Sequence, residues 1–181
     1  MKNNFILKIF FFLFFTSNLC ATNLEISSSE VKLNKKDSKI NFKGDIKAKD
    51  GNNNILKAEE ANYSKEDDLL NSIGLTTIVT SENYFFESQN VIFDNKNKII
   101  KSDFPTKISD PDGNIILVNM FNYNSLKNIL FSKGDIKLED KKKNIYRFKQ
   151  LYIDEKKKKI VGSDAKIFLN DNSLKVDVRN N

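Results

Sequence analysis

Four groups of side chains have types and spacings that could do chemistry. Asp110-Pro111-Asp112-Gly113-Asn114 offers oxygen donors in the manner of a calcium loop, but lacks the regular acidic spacing and terminal glutamate of an EF-hand. Glu59-Glu60 and Glu66-Asp67-Asp68 are carboxylate clusters of the kind used for general acid and base work. Lys141-Lys142-Lys143 and Lys156-Lys157-Lys158-Lys159 suit phosphate groups, on a nucleic acid or on a lipid headgroup. Cys20 is the one thiol, and the 181 residues include no histidine. Ser-His-Asp and Cys-His catalysis, histidine-ligated zinc and haem on a proximal histidine are therefore excluded. Each charged group falls at a turn or bend between apolar segments, where solvated charge is expected. The sequence thus predicts no catalytic residue, no metal site and no cofactor, and a protein that is not an enzyme.

The elements that position these groups begin with a leader. Lys2 and Lys8 precede an apolar run, Ile9 to Phe15, that is shorter than the roughly 20 residues needed to span a bilayer. The pattern fits a signal peptide over residues 1–21, cleaved at Leu19-Cys20-Ala21 to leave a domain of residues 22–181. Asn18 and Leu19 are poor small-residue neighbours for acylation of Cys20, and an uncleaved interfacial anchor is the alternative. Export removes two lysines, takes the net charge from +6 to +4, and removes the only cysteine. An exported domain without disulfides depends on burial and backbone pairing. An exported chain does not meet nucleic acid, so the lysine runs face anionic lipid or a negative partner surface, or are simply solvated turns.

In rows of thirty, the exported part aligns without a gap over most of its length. One column reads Ile40, Leu70, Ile100, Leu130, Ile160; another reads Gly44, Gly74, Phe104, Gly134, Asp164. Further columns are Ile55, Phe85, Ile115, Ile145, then Val31, Ala61, Val91, Phe121, Leu151, and Leu33, Tyr63, Phe93, Tyr123, Ile153. Within each row the period is two, the strand signal: Ile40, Phe42, Ile46 and Ala48 share one face, opposite Asn41, Lys43, Asp45 and Lys47. Turn residues such as Asp50-Gly51-Asn52, Asp94 to Asn97, Asp140 to Asn144 and Asn170-Asp171-Asn172 separate the strands. Each row is a β-hairpin, and about eleven strands and no helix are expected after the leader.

The second strand of each row changes parity. Leu56 and Ala58 lie on one alternation but Ala61 and Tyr63 on the other; Ser88 against Val91 and Val118 against Phe121 repeat the break. If both groups face the interior, the strand bends at Glu59-Glu60, Gln89-Asn90, Asn119-Met120 and Lys149-Gln150, and the sheet folds over itself. A strand buried on both faces is the alternative.

The string from Leu56 to Ser64, followed by Leu70 and Gly74, reads Ala-x-x-Ala-x-Tyr, a turn, then Leu-x-x-x-Gly. It resembles the signature of the OstA-like family, which includes LptA and the periplasmic N-terminal domain of LptD, over about residues 24–178. Phe148 to Asp154, the Lys156 to Lys159 turn, and Ile160 to Lys166 are more similar to the LptD domains. The resemblance implies an antiparallel, V-shaped β-jellyroll in the periplasm whose apolar groove carries lipopolysaccharide acyl chains. It also implies edge-to-edge pairing with other Lpt jellyrolls of LptA or LptC type, in a bridge to the outer membrane. The length leaves no room for the membrane barrel of a full LptD, and the exported part has no cysteine to link to one. A truncated LptD with a separate barrel partner, a stand-alone LptA-like protein and a diverged paralogue remain open.

A lipid groove needs a continuous apolar lining and no catalytic residue. The lining candidates are Ile40, Phe42, Ile46, Leu70, Ile78, Ile108, Leu130, Ile136 and Leu138 from first strands. Tyr63, Val91, Phe93, Phe121, Tyr123, Leu151 and Ile153 come from second strands. An ordinary packed core, as in a structural β-repeat module of a surface protein, would use the same residues. The segments Leu24 to Leu33 and Leu174 to Val178 are the expected pairing edges.

Overall fold

Alternating apolar and polar residues extend the chain, and the computed structural model, which describes residues 24–34 and 39–170, is strand and turn with no helix among them. The leader at 1–21, the end of the Asn170-Asp171-Asn172 turn and the strand expected at Leu174 to Val178 lie outside the described residues. In chain order the strands are β1 (Glu25–Ser27), β2 (Glu30–Asn34), β3 (Lys39–Lys49), β4 (Ile55–Ser64), β5 (Leu69–Val79), β6 (Phe85–Gln89), β7 (Ile92–Asp94) and β8 (Ile99–Ser102). They continue as β9 (Thr106–Ser109), β10 (Ile115–Val118), β11 (Phe121–Asn124), β12 (Ile129–Glu139), β13 (Ile145–Asp154), β14 (Lys159–Ser163) and β15 (Lys166–Phe168). All form one antiparallel 15-stranded sheet. This is the all-β, repeat-built jellyroll that the sequence predicts. The count exceeds eleven because the bend divides five of the ten described repeat strands in two.

Five long strands, β3, β4, β5, β12 and β13, run through the bend and belong to both layers of the folded sheet. β6 pairs the C-terminal half of β5, then β9 and β10 follow, reaching the C-terminal half of β12. β7 pairs the N-terminal half of β5, then β8 and β11 follow, reaching the N-terminal half of β12. We term these the first and second layers. β1 and β15 border the first; β2 and β14 border the second.

The bends fall where parity predicted them. The β4–β5 register shifts between Ala58 and Glu60; β6 ends at Gln89 before β7; β10 ends at Val118 before β11. Gln150 borders the β12–β13 shift, which lies between Lys133 and Ile136. First strands bend as well, which the parity pattern did not show. Gly44, Gly74 and Gly134 carry the extra residue there, with φ of 73°, 75° and 104°, a region closed to most side chains. Where Phe104 replaces the glycine, the strand stops at Ser102 and resumes at Thr106.

Breaking a ladder orphans backbone groups, and hydroxyls recover them. Ser72 Oγ accepts the Val91 N–H at 2.8 Å, Ser102 Oγ donates to the Gln89 carbonyl at 2.7 Å, and Ser132 Oγ donates to the Met120 carbonyl at 2.8 Å. These serines are themselves a thirty-residue column, buried at the fold line.

No side chain crowds the position that a Gly134 Cβ would take: the nearest atom, Asn119 Nδ2, is 4.0 Å away, so the cost of substitution there is conformational. Gly134→Ala is expected to lower the urea-unfolding free energy by about 1–2 kcal/mol. Gly51→Ala, in an exposed turn with ordinary φ, should change it by less than about 0.5 kcal/mol. Equal losses would contradict the bend's dependence on glycine.

Candidate functional site

The inward faces of the two layers form one apolar interior. Of the sixteen lining candidates, fourteen are buried there, and Ile40 and Tyr63 pack partly buried at its margin. Leu56, Phe86 and Ile116 join them. These three share the parity of Ala58, the signal that could have found them. The neighbouring apolar column Ile55, Phe85, Ile115, Ile145 lies on the opposite alternation and turns outward, with Phe85 37% exposed.

In the central rows the interior is closed. The Phe86 ring of the first layer lies 5.1 Å from the Phe121 ring and 6.1 Å from the Tyr123 ring of the second, both tilted contacts. Near the fold line small or hydroxylic inward residues, Ala58, Ala61, Ser72, Thr76, Ser88 and Thr106, alternate with larger ones in the same columns, Ile46, Val91, Phe121 and Ile136. Burial and the Asp68 carboxylate, which accepts its hydroxyl at 2.8 Å, push the Tyr63 phenol up to about 12. Tyr123 is held neutral in the same way, by burial and by its bond to Glu155.

The layers do not stack row on row. Asn52 in a first-layer turn donates to the Ser125 carbonyl, 73 residues later, and Asn128 donates to Ser81 and Glu82, 47 and 46 residues earlier. This shear leaves an uncovered inner face at each end. Val31 and Leu33, in register with Phe42 and Ile40, are 59% and 64% exposed. At the other end Ile167, in register with Tyr146 on the first layer, is 58% exposed. Each open inner face is bordered by strands paired on one side only among the described residues: β1 and β2 with β3, and β14 and β15 with β13.

The charged clusters do not converge on this interior. Glu59 sits at the β4 bend, Glu60 pairs with Lys43 at 3.1 Å, and Asp67 accepts the Ser64 hydroxyl. Asp110 uses both carboxylate oxygens on the backbone and side-chain amides of Asn114, as Asp50 does with Asn54 and Asp140 with Asn144. The two lysine runs lie in the turns at the two ends of β13, one in each layer. Lys143 pairs with Glu139 and Lys157 with Asp154. A groove of about 760 Å³ crosses the first layer beside the bend, but charges of both signs line it, including Lys47, Lys57, Glu59 and Glu87.

Among solved structures, one match is the crystal structure of LptH, the LptA-homologous periplasmic component of the conserved lipopolysaccharide transport device from Pseudomonas aeruginosa. It is 10% identical, over 83% of this chain and 96% of that one, with a TM-score of 0.35. No protein-family model and no curated protein matches the chain.

A filled centre and open ends have different sensitivities to truncation. Phe86→Ala should cost about 3–5 kcal/mol in urea unfolding, and Leu33→Ser less than about 1 kcal/mol. Similar costs at both sites would contradict this layout.

Proposed function

We propose that this chain is a periplasmic carrier of the lipopolysaccharide-export pathway, holding acyl chains between its two layers and pairing edge to edge with similar jellyrolls. One observation carries the reading: among the described residues an apolar inner face, without charge on its strands, runs through every row and emerges uncovered at both ends beside half-paired strands. The resemblance around Ala58, Ala61 and Tyr63 supports it, and these three residues line that face. A chain that enters replaces layer-to-layer contact with layer-to-chain contact. Little inner surface need then meet water, while each buried methylene contributes about 0.8 kcal/mol.

Half-paired edges supply the second part of the reading. β2 and β14 pair on one side only among the described residues, a form that is recognised by strand addition. A second jellyroll there would extend both the sheet and the inner face. Within this reading the sequence is nearest to the N-terminal domain of LptD, with a signal peptide at 1–21 and a place near the outer membrane. A stand-alone LptA-like bridge protein uses the same surfaces. The ring contact between Phe86 and Phe121 favours one other reading, a structural β-repeat module with a dry core.

Photo-crosslinking separates them. A benzophenone side chain at Phe93 or Leu138 should capture lipopolysaccharide, and one at Lys57 or Lys137 should not. Equal capture on both faces, or none on either, would sink the carrier reading.

A further inference from the structure

The two long margins of the folded sheet are held by different means. Along the bend the layers share continuous backbone in five strands. Along the free margin, turns meet through side chains: Asn52 Nδ2 to the Ser125 carbonyl at 3.2 Å, and Asn128 Nδ2 to Ser81 Oγ at 2.8 Å and to Glu82 Oε1 at 3.3 Å. Beneath this seam lies Glu155, only 2% exposed. Its Oε2 accepts the Tyr123 hydroxyl at 2.9 Å, whereas its Oε1 is buried without a hydrogen-bond partner.

The groups around Glu155 come from both layers. Tyr123 faces it from β11, and Thr80, Glu82 and Tyr84 from the first-layer turn between β5 and β6. Asp50 acts on Tyr123 from the neighbouring turn, and Asp110 and Asp112 act on Tyr84 from the next. On its own turn Lys157 pairs with Asp154, and no cation pairs with Glu155 among the described residues. An unpaired carboxylate away from water is costly, and the Glu82 carboxylate adds to that cost.

We propose that Glu155 is a protonation-sensitive latch on the seam. When neutral, it lets the free margins close over Phe86, Phe121 and Tyr123; when ionised, it favours an open seam in which it reaches water, exposing the apolar interior. The inference concerns how the interior opens, whatever fills it. Burial pushes the carboxyl from its ordinary 4.5 up to about 7, against the Tyr123 hydrogen bond and the nearby Thr80 hydroxyl and with help from Glu82. The sign follows. Between those values the closed form keeps a proton that the open form has lost, so rising pH shifts the balance towards opening, and above about 7 the shift ends.

The test uses the exported chain and N-phenyl-1-naphthylamine, a neutral apolar dye whose charge does not change with pH. Dye association is expected to rise by about tenfold or more between pH 5 and pH 8 at constant far-ultraviolet circular dichroism. Glu155→Gln should bind dye weakly at every pH in that range. Tyr123→Phe, which removes a donor to the ionised form, should move the midpoint to higher pH and tests the latch if the glutamine variant folds poorly. The inference is overturned if wild-type uptake is flat with pH, if Glu155→Gln keeps the transition, or if circular dichroism collapses with dye uptake. Failure to capture lipopolysaccharide in the crosslinking experiment would leave dye uptake unaffected, so the two proposals fail separately.

Discussion

An antiparallel sheet that folds over itself must break its hydrogen-bond ladder along one line, and everything else in this structure follows from how that line is satisfied. Glycines with left-handed φ at 44, 74 and 134 admit the extra residue in first strands. The hydroxyls of Ser72, Ser102 and Ser132 then bond backbone groups that the break would leave bare. With the bend fixed, both strand halves turn their apolar residues to one interior despite the parity change. The rings of Phe86, Phe121 and Tyr123 then meet between the layers.

Much of this was legible because the repeat is strict. A thirty-residue period showed the hairpins, and the parity break in second strands showed the fold line at Glu59, Gln89, Asn119 and Lys149. The glycine column was visible too, but its meaning depends on φ, which spacing does not give. The serine column hid because serine is unremarkable in a polar chain until a buried carbonyl lies opposite it. Strand number was underestimated for a related reason: a bend that kinks β4 severs the equivalent strands at β6 and β10.

The relation between the layers was not legible at all. Periodicity orders residues within a sheet and says nothing about how far one layer slides over the other. The contacts of Asn52 with Ser125 and of Phe86 with Phe121 set that shear. It is the shear that uncovers Val31 and Leu33 at one end and Ile167 at the other. It also carries Glu155 under the turn from Thr80 to Tyr84, far away in sequence, so a residue that reads as one more charge in a lysine-rich turn is buried at a seam.

The bend is built from backbone and the seam from side chains, so under the proposed function the seam is the margin that must yield for acyl chains to enter. Pulsed electron–electron resonance between spin labels at Asn53 and Lys127, exposed positions on either side of the seam, measures this directly. Addition of lipopolysaccharide should lengthen the distance between them, while labels on the same layer, at Lys47 and Lys107, keep theirs. Lipopolysaccharide that binds with the seam distance unchanged would contradict the account.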